Sequence, residues 1–383
     1  MRFRMSGEKK KINLSLVVSV VIIIVLLAAL LYYATMPPKV EVVPTTIVST
    51  TTVTPEVKPH EIKIGVIGKS LSPWWTIAKA GAEYAGKVLK IHVDFFAPTK
   101  EDVPAQLDAF DSYLAKGYDA IAFACSDPKA SVVYINKAIE KGVPVITYNS
   151  DSPESKRLCF VGISDYEGGR AAGELMIKAL QEKGIPVKGS KFGIGQGSAT
   201  ALNAIERARG FMDVIKAAGG IVLEPVIDKE DPEKAFELAT TLLTTHPDIV
   251  GVFGTYSYNG KALSAAVKQL GLVNKVVVIQ FDTLKQNIDP IVEGVSYGTI
   301  GQRQFFQAFH AVRLLYNIIV NKMYTNDLNK AIEIVLQSEI IGYPENKWYP
   351  IGFDEVTIHN LKDVALLYDK LGMPRDWKYP GEP

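Results

Sequence analysis

The sequence is short of the side chains on which most metal sites and nucleophilic enzymes depend. It holds two cysteines and five histidines in 383 residues. Cys125 and Cys159 stand in separate apolar runs, with no CxxC pair and no Cys/His cluster, so the spacing of a zinc site is missing. They read as buried thiols acting as small hydrophobes, with a disulfide open if their strands are neighbours. The histidines are scattered, and none forms an HExxH pair. Charge of one sign is lacking too: 42 Lys and Arg face 41 Asp and Glu. With no basic field, and no basic run beyond residue 11, nucleic acid is not an expected partner. Walker A and GxSxG are absent. GIGQG (193–197) starts like a dinucleotide loop, but Ser198 stands where GxGxxG needs its last glycine. Neither a cofactor nor a metal is expected.

The N-terminus is what the sequence has in abundance: apolar length. Arg2, Arg4, Lys9, Lys10 and Lys11 face only Glu8, and then 21 residues from Leu14 to Ala34 run without a charge. As a helix that run is ~31 Å long, the depth of a bilayer's hydrocarbon core. Tyr32 and Tyr33 close it at interfacial depth, and the basic flank predicts a cytoplasmic start. The expectation is a cytoplasmic basic tail (1–13), one transmembrane anchor (14–34) and the remainder on the extracytoplasmic face of the cell membrane. A cleaved signal peptide is the competing reading, although its apolar core is normally ~7–15 residues and ends at a small-residue site that this run lacks. Residues 35–60, rich in Thr, Pro and Val, read as a semi-stiff linker.

From Ile62 onward, β-branched runs alternate with helical patterns. Strands are expected within 62–68, 90–97, 120–125, 144–149, 159–164, 191–197, 221–228, 249–255, 276–282 and 297–302. Between them, 102–116 and 231–245 carry apolar residues at i, i+3 and i+4. Asp127-Pro128 and Asp231-Pro232 read as an N-cap followed by proline in the first helical position. Alternating βα order implies an α/β architecture of parallel sheets covered by helices. Two sheets suit ten strands better than one, with a break near 164–169, where turn residues cluster.

Ligands of such sheets lie beyond the carboxyl ends of the strands, so the residues there are the informative ones. Ser72, Trp74 and Trp75 follow the first strand. Asn149 and Asp151 follow the fourth, Asp165 the fifth, Asn203 the sixth, Asp282 the ninth and Gln302 the tenth. Carboxylates and amides suit paired hydroxyls, and adjacent tryptophans offer a wall for an apolar ring face. Each polar residue can equally cap the next helix. Together they outline one polar, aromatic-walled cleft. Asp165 and Asp282 as a glycosidase pair would need a set separation, and no nucleophile and base stand together, so binding rather than catalysis is expected.

At this point the residues are similar to a known family. Segment 61–322, about two thirds of the chain, resembles the ribose-type (type I) periplasmic sugar-binding proteins of ABC importers. Ser72-Pro73-Trp74-Trp75 stands where that family has Asn-Pro-Phe-Phe, whose aromatics stack on the sugar. VPVITYNSD (143–151), VGISDYEGGRAAGELM (161–176), NAIERARGF (203–211), VFGTYSYNGKAL (252–263), VIQFD (278–282) and YGTIGQ (297–302) resemble family motifs in the same order. The resemblance implies Asp165 facing the cleft at the hinge, Asn203 and Tyr256 as ligand contacts, Asp282 as a hydroxyl acceptor and Gln302 as an amide contact. Ribose binders place arginines where Ser150 and Ile205 stand here, which argues against ribose itself. Tyr148, Asp151 and Arg303 are the candidates to compensate.

The resemblance further implies two Rossmann-like parallel-sheet lobes that close like a Venus flytrap. Three crossings near 164–165, 302–303 and 330–336 would join them. The first lobe would hold 61–164 and 303–330. The second would hold 165–302 and a strand-like 331–342. Residues 343–383 would form a C-terminal extension, an added subdomain or a surface wrap. The implied function is capture of a monosaccharide or similar polyol by a monomeric, membrane-anchored protein, and its delivery to the permease subunits of an ABC importer. A receptor or chemosensor of the same fold, a nucleoside or autoinducer binder, and a sugar-active enzyme are the alternatives.

Overall fold

The computed structural model describes residues 61–382. The expected tail, membrane anchor and linker lie outside the described residues. Among the described residues no helix is long and apolar enough to cross a membrane.

The β-branched runs form strands where the sequence places them, and the strands sort into two sheets. The first contains β1 (Lys63–Ile67), β2 (His92–Phe96), β3 (Ala120–Phe123), β4 (Val145–Tyr148), β5 (Phe160–Gly162) and, from far along the chain, β12 (Trp348–Pro350). All its pairs are parallel, in the order β12-β5-β4-β3-β1-β2. The second is built on β6 (Lys191–Gln196), β9 (Ile249–Gly254), β10 (Val277–Phe281) and β11 (Gly298–Gly301), with β13 (Asp354–Thr357) antiparallel on its edge. Pro225, which has no N–H for a ladder, divides the expected strand 221–228 into β7 (Ile221–Val222) and β8 (Val226–Ile227), both beside β6.

Helices bury both faces of each sheet. On the first sheet α1 (Pro73–Leu89) covers one face, and α2 (Val103–Ala115) and α3 (Pro128–Glu140) the other. On the second, α4 (Asp165–Glu182) and α5 (Leu202–Ala217) oppose α6 (Pro232–Thr245) and α7 (Ser257–Gln269), and α8 (Lys285–Val292) leads into β11. Asp102, Asp127 and Asp231 cap their helices, each accepting first-turn backbone N–H groups, as the sequence signals require. Helix α9 (Gln304–Thr325) returns to the first sheet beside α1. Cys125 and Cys159 are free and buried, and burial pushes both thiols up, Cys159 to about 12.

Two expectations are corrected. Residues 331–341 are not a strand of the second lobe. Residues 331–339 belong to helix α10 (Leu328–Glu339), capped by Asp327, with Ala331, Val335 and Leu336 turned inward at helical spacing. That face packs into the first sheet's core. Its β-branched content favours a strand, but the cap and the i, i+4 spacing prevail. The third crossing accordingly falls between β12 and β13, at Ile351–Phe353, and not near 330–336. The C-terminal extension is thus built into both sheets. It ends in α11 (Leu361–Lys370), which buries Leu361, Val364, Ala365 and Tyr368 against Ile288, Ile291 and Phe305.

Candidate functional site

The carboxyl ends of both sets of strands border one cavity of about 270 Å³, near the lower end of the ~300–1,000 Å³ usual for ligand pockets. Ser72, Trp74, Trp75, Asn149, Asn203, Tyr256, Asp282 and Gln302 line it. No histidine and no cysteine is among its lining residues.

The first-lobe wall is aromatic. Pro73 starts α1, so Trp74 and Trp75 fall in its first turn, at the end of β1. Both are buried, with ring centroids 4.4 Å apart at 61°, and Trp75 packs edge-on against Tyr148 at 6.0 Å. Trp74 reaches across the cleft: its Nε1 donates to Asp282 Oδ1 at 2.9 Å.

The second-lobe wall is a hydrogen-bonded network centred on Arg207, which is 1% exposed. Its place depends on two glycines. A Cβ on Gly169 of α4 would lie 2.1 Å from the Arg207 carbonyl oxygen, and one on Gly210 of α5 would lie 2.1 Å from the Tyr166 oxygen. The two helix backbones therefore touch, and Arg207 Nε donates to Asp165 Oδ1 at 2.8 Å. Its Nη1 donates to the Thr255 carbonyl at 3.0 Å, its Nη2 to Gln302 Oε1 at 2.8 Å, and the guanidinium lies 4.0 Å over the Phe281 ring. Gln302, on the crossing after β11, donates from Nε2 to Asp282 Oδ1 at 2.5 Å and accepts from Asn149 Nδ2 at 3.3 Å. Tyr256 OH donates to Asn203 Oδ1 at 2.9 Å. Burial pushes the Asp282 carboxyl above its ordinary value, opposed by Arg207, Gln302 and Trp74.

Two expected residues are not among those lining the cavity. Asp151 is turned into its own loop: Oδ1 accepts from Thr147 Oγ1 at 2.6 Å and Ser152 N at 2.8 Å, and Arg157 grips both oxygens at 2.5 Å. Asp165 stands behind Arg207 and holds it. The compensating candidates are otherwise occupied: Tyr148 packs behind Trp75, and Arg303 forms a two-pronged pair with Asp354 at 2.9 and 2.7 Å.

Sequence reasoning passed over the cavity's other charges. Arg207 lies one helical turn after Asn203, within the quoted NAIERARGF stretch, and that spacing was its signal. Lys69 follows β1, and its Nζ lies 3.0 Å from Glu101 and 3.3 Å from Glu230, the latter on the opposite lobe. Glu101 and Glu230 each directly precede a capping aspartate, at the cleft-side end of a helix. Burial pushes Glu230 up to about 8, with Glu101 beside it adding to the rise and Lys69 opposing it. Glu101 is held low by Lys69 against the effect of burial.

Such a cavity offers an apolar wall and several donors and acceptors in fixed directions. Those are the means of binding a small polyhydroxylated ring. Comparison with known proteins points the same way. Residues 64–323 match the periplasmic binding protein domain profile. A D-ribose/D-allose-binding protein of Pseudomonas aeruginosa is 24% identical over 72% of this chain and 88% of its own. A D-allose-binding periplasmic protein of Escherichia coli is 26% identical over 62% of this chain and 78% of its own. The structure of AraP, an arabinose binding protein from Geobacillus stearothermophilus, aligns with a TM-score of 0.63 at 26% identity, covering 80% of this chain and 99% of that one.

Proposed function

Since the chain belongs to the periplasmic binding protein family, we propose that its cavity captures a monosaccharide, or a polyol of similar size, for delivery to an ABC importer. The observation that carries this reading is the Trp74–Asp282–Gln302–Arg207 series, which joins an aromatic face to charged acceptors and donors across one small cleft. The sugar's apolar face rests on the tryptophans. Its hydroxyls bond Asp282, Asn203, Gln302 and Arg207, and Asp165 positions the arginine. Charge-assisted bonds of this kind contribute about 1.5–3 kcal/mol each. The protein binds and releases the sugar unchanged, acts as a monomer, and is held at the extracytoplasmic face of the membrane by residues 14–34, with 35–60 as tether.

Tryptophan fluorescence of the full chain tests the reading, because two of the four tryptophans line the cavity. Saturable change with one pentose or hexose, shifted to about ten- to a hundredfold higher sugar concentration in Asp282→Asn, supports it. Silence across pentoses, hexoses and polyols removes it, and a response to nucleosides alone reassigns the ligand.

A further inference from the structure

The cleft contains a charge cluster that the sugar site does not require. Lys69 of the first lobe pairs at once with Glu101 of its own lobe and Glu230 of the other, and all three line the cavity. Glu230 is held firmly in place. It sits in a left-handed turn at φ 61°, and its N–H lies 2.9 Å from both Asp228 Oδ1 and the Gly197 carbonyl. Two carboxylates facing one largely buried ammonium, each itself only about a fifth exposed, cannot both be neutralised by it. Glu101 and Glu230 both lie within 3.3 Å of the same Lys69 Nζ, and two carboxylates sharing one ammonium favour a proton on one of them. Lys100 lines the same cavity, but among the described residues it forms no ion pair with Glu101 or Glu230, and the other neighbours of Glu230 bring no second cation to it. Tyr256 and Tyr258 approach from the start of α7, Asp228 is engaged by Tyr258 and Asn259, and Arg207 is committed to Asp165 and Gln302.

We propose that the Lys69–Glu101–Glu230 cluster is a proton-dependent latch, through which closing of the two lobes takes up one proton. The proposal rests on the reading above in one respect, that the lobes open and close around a ligand. Opening separates Glu230 from Lys69 and Glu101 and returns it to water, where its ordinary value is near 4.5, against about 8 with the cluster formed as here. A group whose value is higher in the closed form favours closure fully below the lower value, and that contribution is lost as pH rises through the higher one. Across the window between them, the closed-to-open ratio and the affinity for any ligand that needs closure fall by up to about tenfold per pH unit.

The test is a spin-label distance measurement on the full chain, with labels on Lys129→Cys and Glu237→Cys, one exposed position on each lobe. The native Cys125 and Cys159 are buried and stay unlabelled. From pH 5 to 9 without sugar, the closed distance is expected to give way to a longer one as pH rises. In Glu230→Gln, whose amide replaces the protonated carboxyl, the closed distance is expected to persist to pH 9. A distribution that does not move with pH in the parent chain overturns the latch. So does a pH shift that survives in Glu230→Gln, since the proton would then reside elsewhere, on Asp282 or Asp165. D-ribose, D-allose and L-arabinose are added at each pH. If closure follows pH as stated but no sugar affects it, the latch stands and the sugar-binding reading falls.

Discussion

On the first-lobe side the cleft is walled by two tryptophans packed on each other and on Tyr148. On the second-lobe side it is walled by Asn203, Arg207, Tyr256 and Asp282, whose polar atoms are already engaged. The first wall is positioned by packing and contributes shape. The second is positioned by hydrogen bonds and contributes direction. Only a few bonds join them, chiefly Trp74 to Asp282, Asn149 to Gln302 and Lys69 to Glu230. On the proposed reading, selectivity among hydroxylated rings resides mainly in the second wall, because a ligand missing a hydroxyl leaves buried polar groups unpaired there.

Substitutions can break this comparison in order of size. Arg207→Met strikes the centre of the polar wall. It leaves Asp165 buried without its cation, and is expected to cost about 3–5 kcal/mol of folding stability in denaturant titration, with sugar binding lost. Asp282→Asn keeps the shape but removes the charge. Affinity should fall ten- to a hundredfold, about 1.5–3 kcal/mol, with little change in melting temperature. Trp74→Phe keeps an aromatic face but gives up the bond to Asp282, for a loss of about 0.5–1.5 kcal/mol in affinity. Trp75→Phe, which makes no such bond across the cleft, should lose less. A Trp75 effect larger than that of Trp74 would refute the assignment of the bridging role. Asp151→Asn should leave affinity within about twofold while lowering stability by about 1–3 kcal/mol, through its grip on Arg157. A large affinity loss there would return Asp151 to the cleft.

Residues past strand ends were readable from sequence because parallel sheets deliver their carboxyl ends to one rim. That rule points to Trp74 after β1, Asn149 after β4, Asp282 after β10 and Gln302 after β11, all of which line the cavity. It misplaced Asp151, because nothing local reveals that Arg157, six residues on, bends the loop to capture it. Asp165 is bonded to Arg207 and does not line the cavity, and that pairing depends on the backbone contact of two successive glycine-bearing helices, which the local sequence does not reveal. Lys69 and Glu230 lie 161 residues apart, and only the approach of the lobes joins them. The helix at 328–339 was hidden by β-branched residues whose helical spacing emerges once Asp327 is recognised as its cap.

The crossing at Ile351–Phe353 bears on how far the cleft can gape. Pro350 is paired to β5 in one sheet and Asp354 to β11 in the other, so three residues link the two edges. Fully drawn out, that leash reaches about 14 Å, at ~3.3–3.6 Å for each step. While both end strands stay paired, the edges at that side cannot move farther apart. The aperture must grow by swinging about this margin, and the widest entry opens on the side away from it.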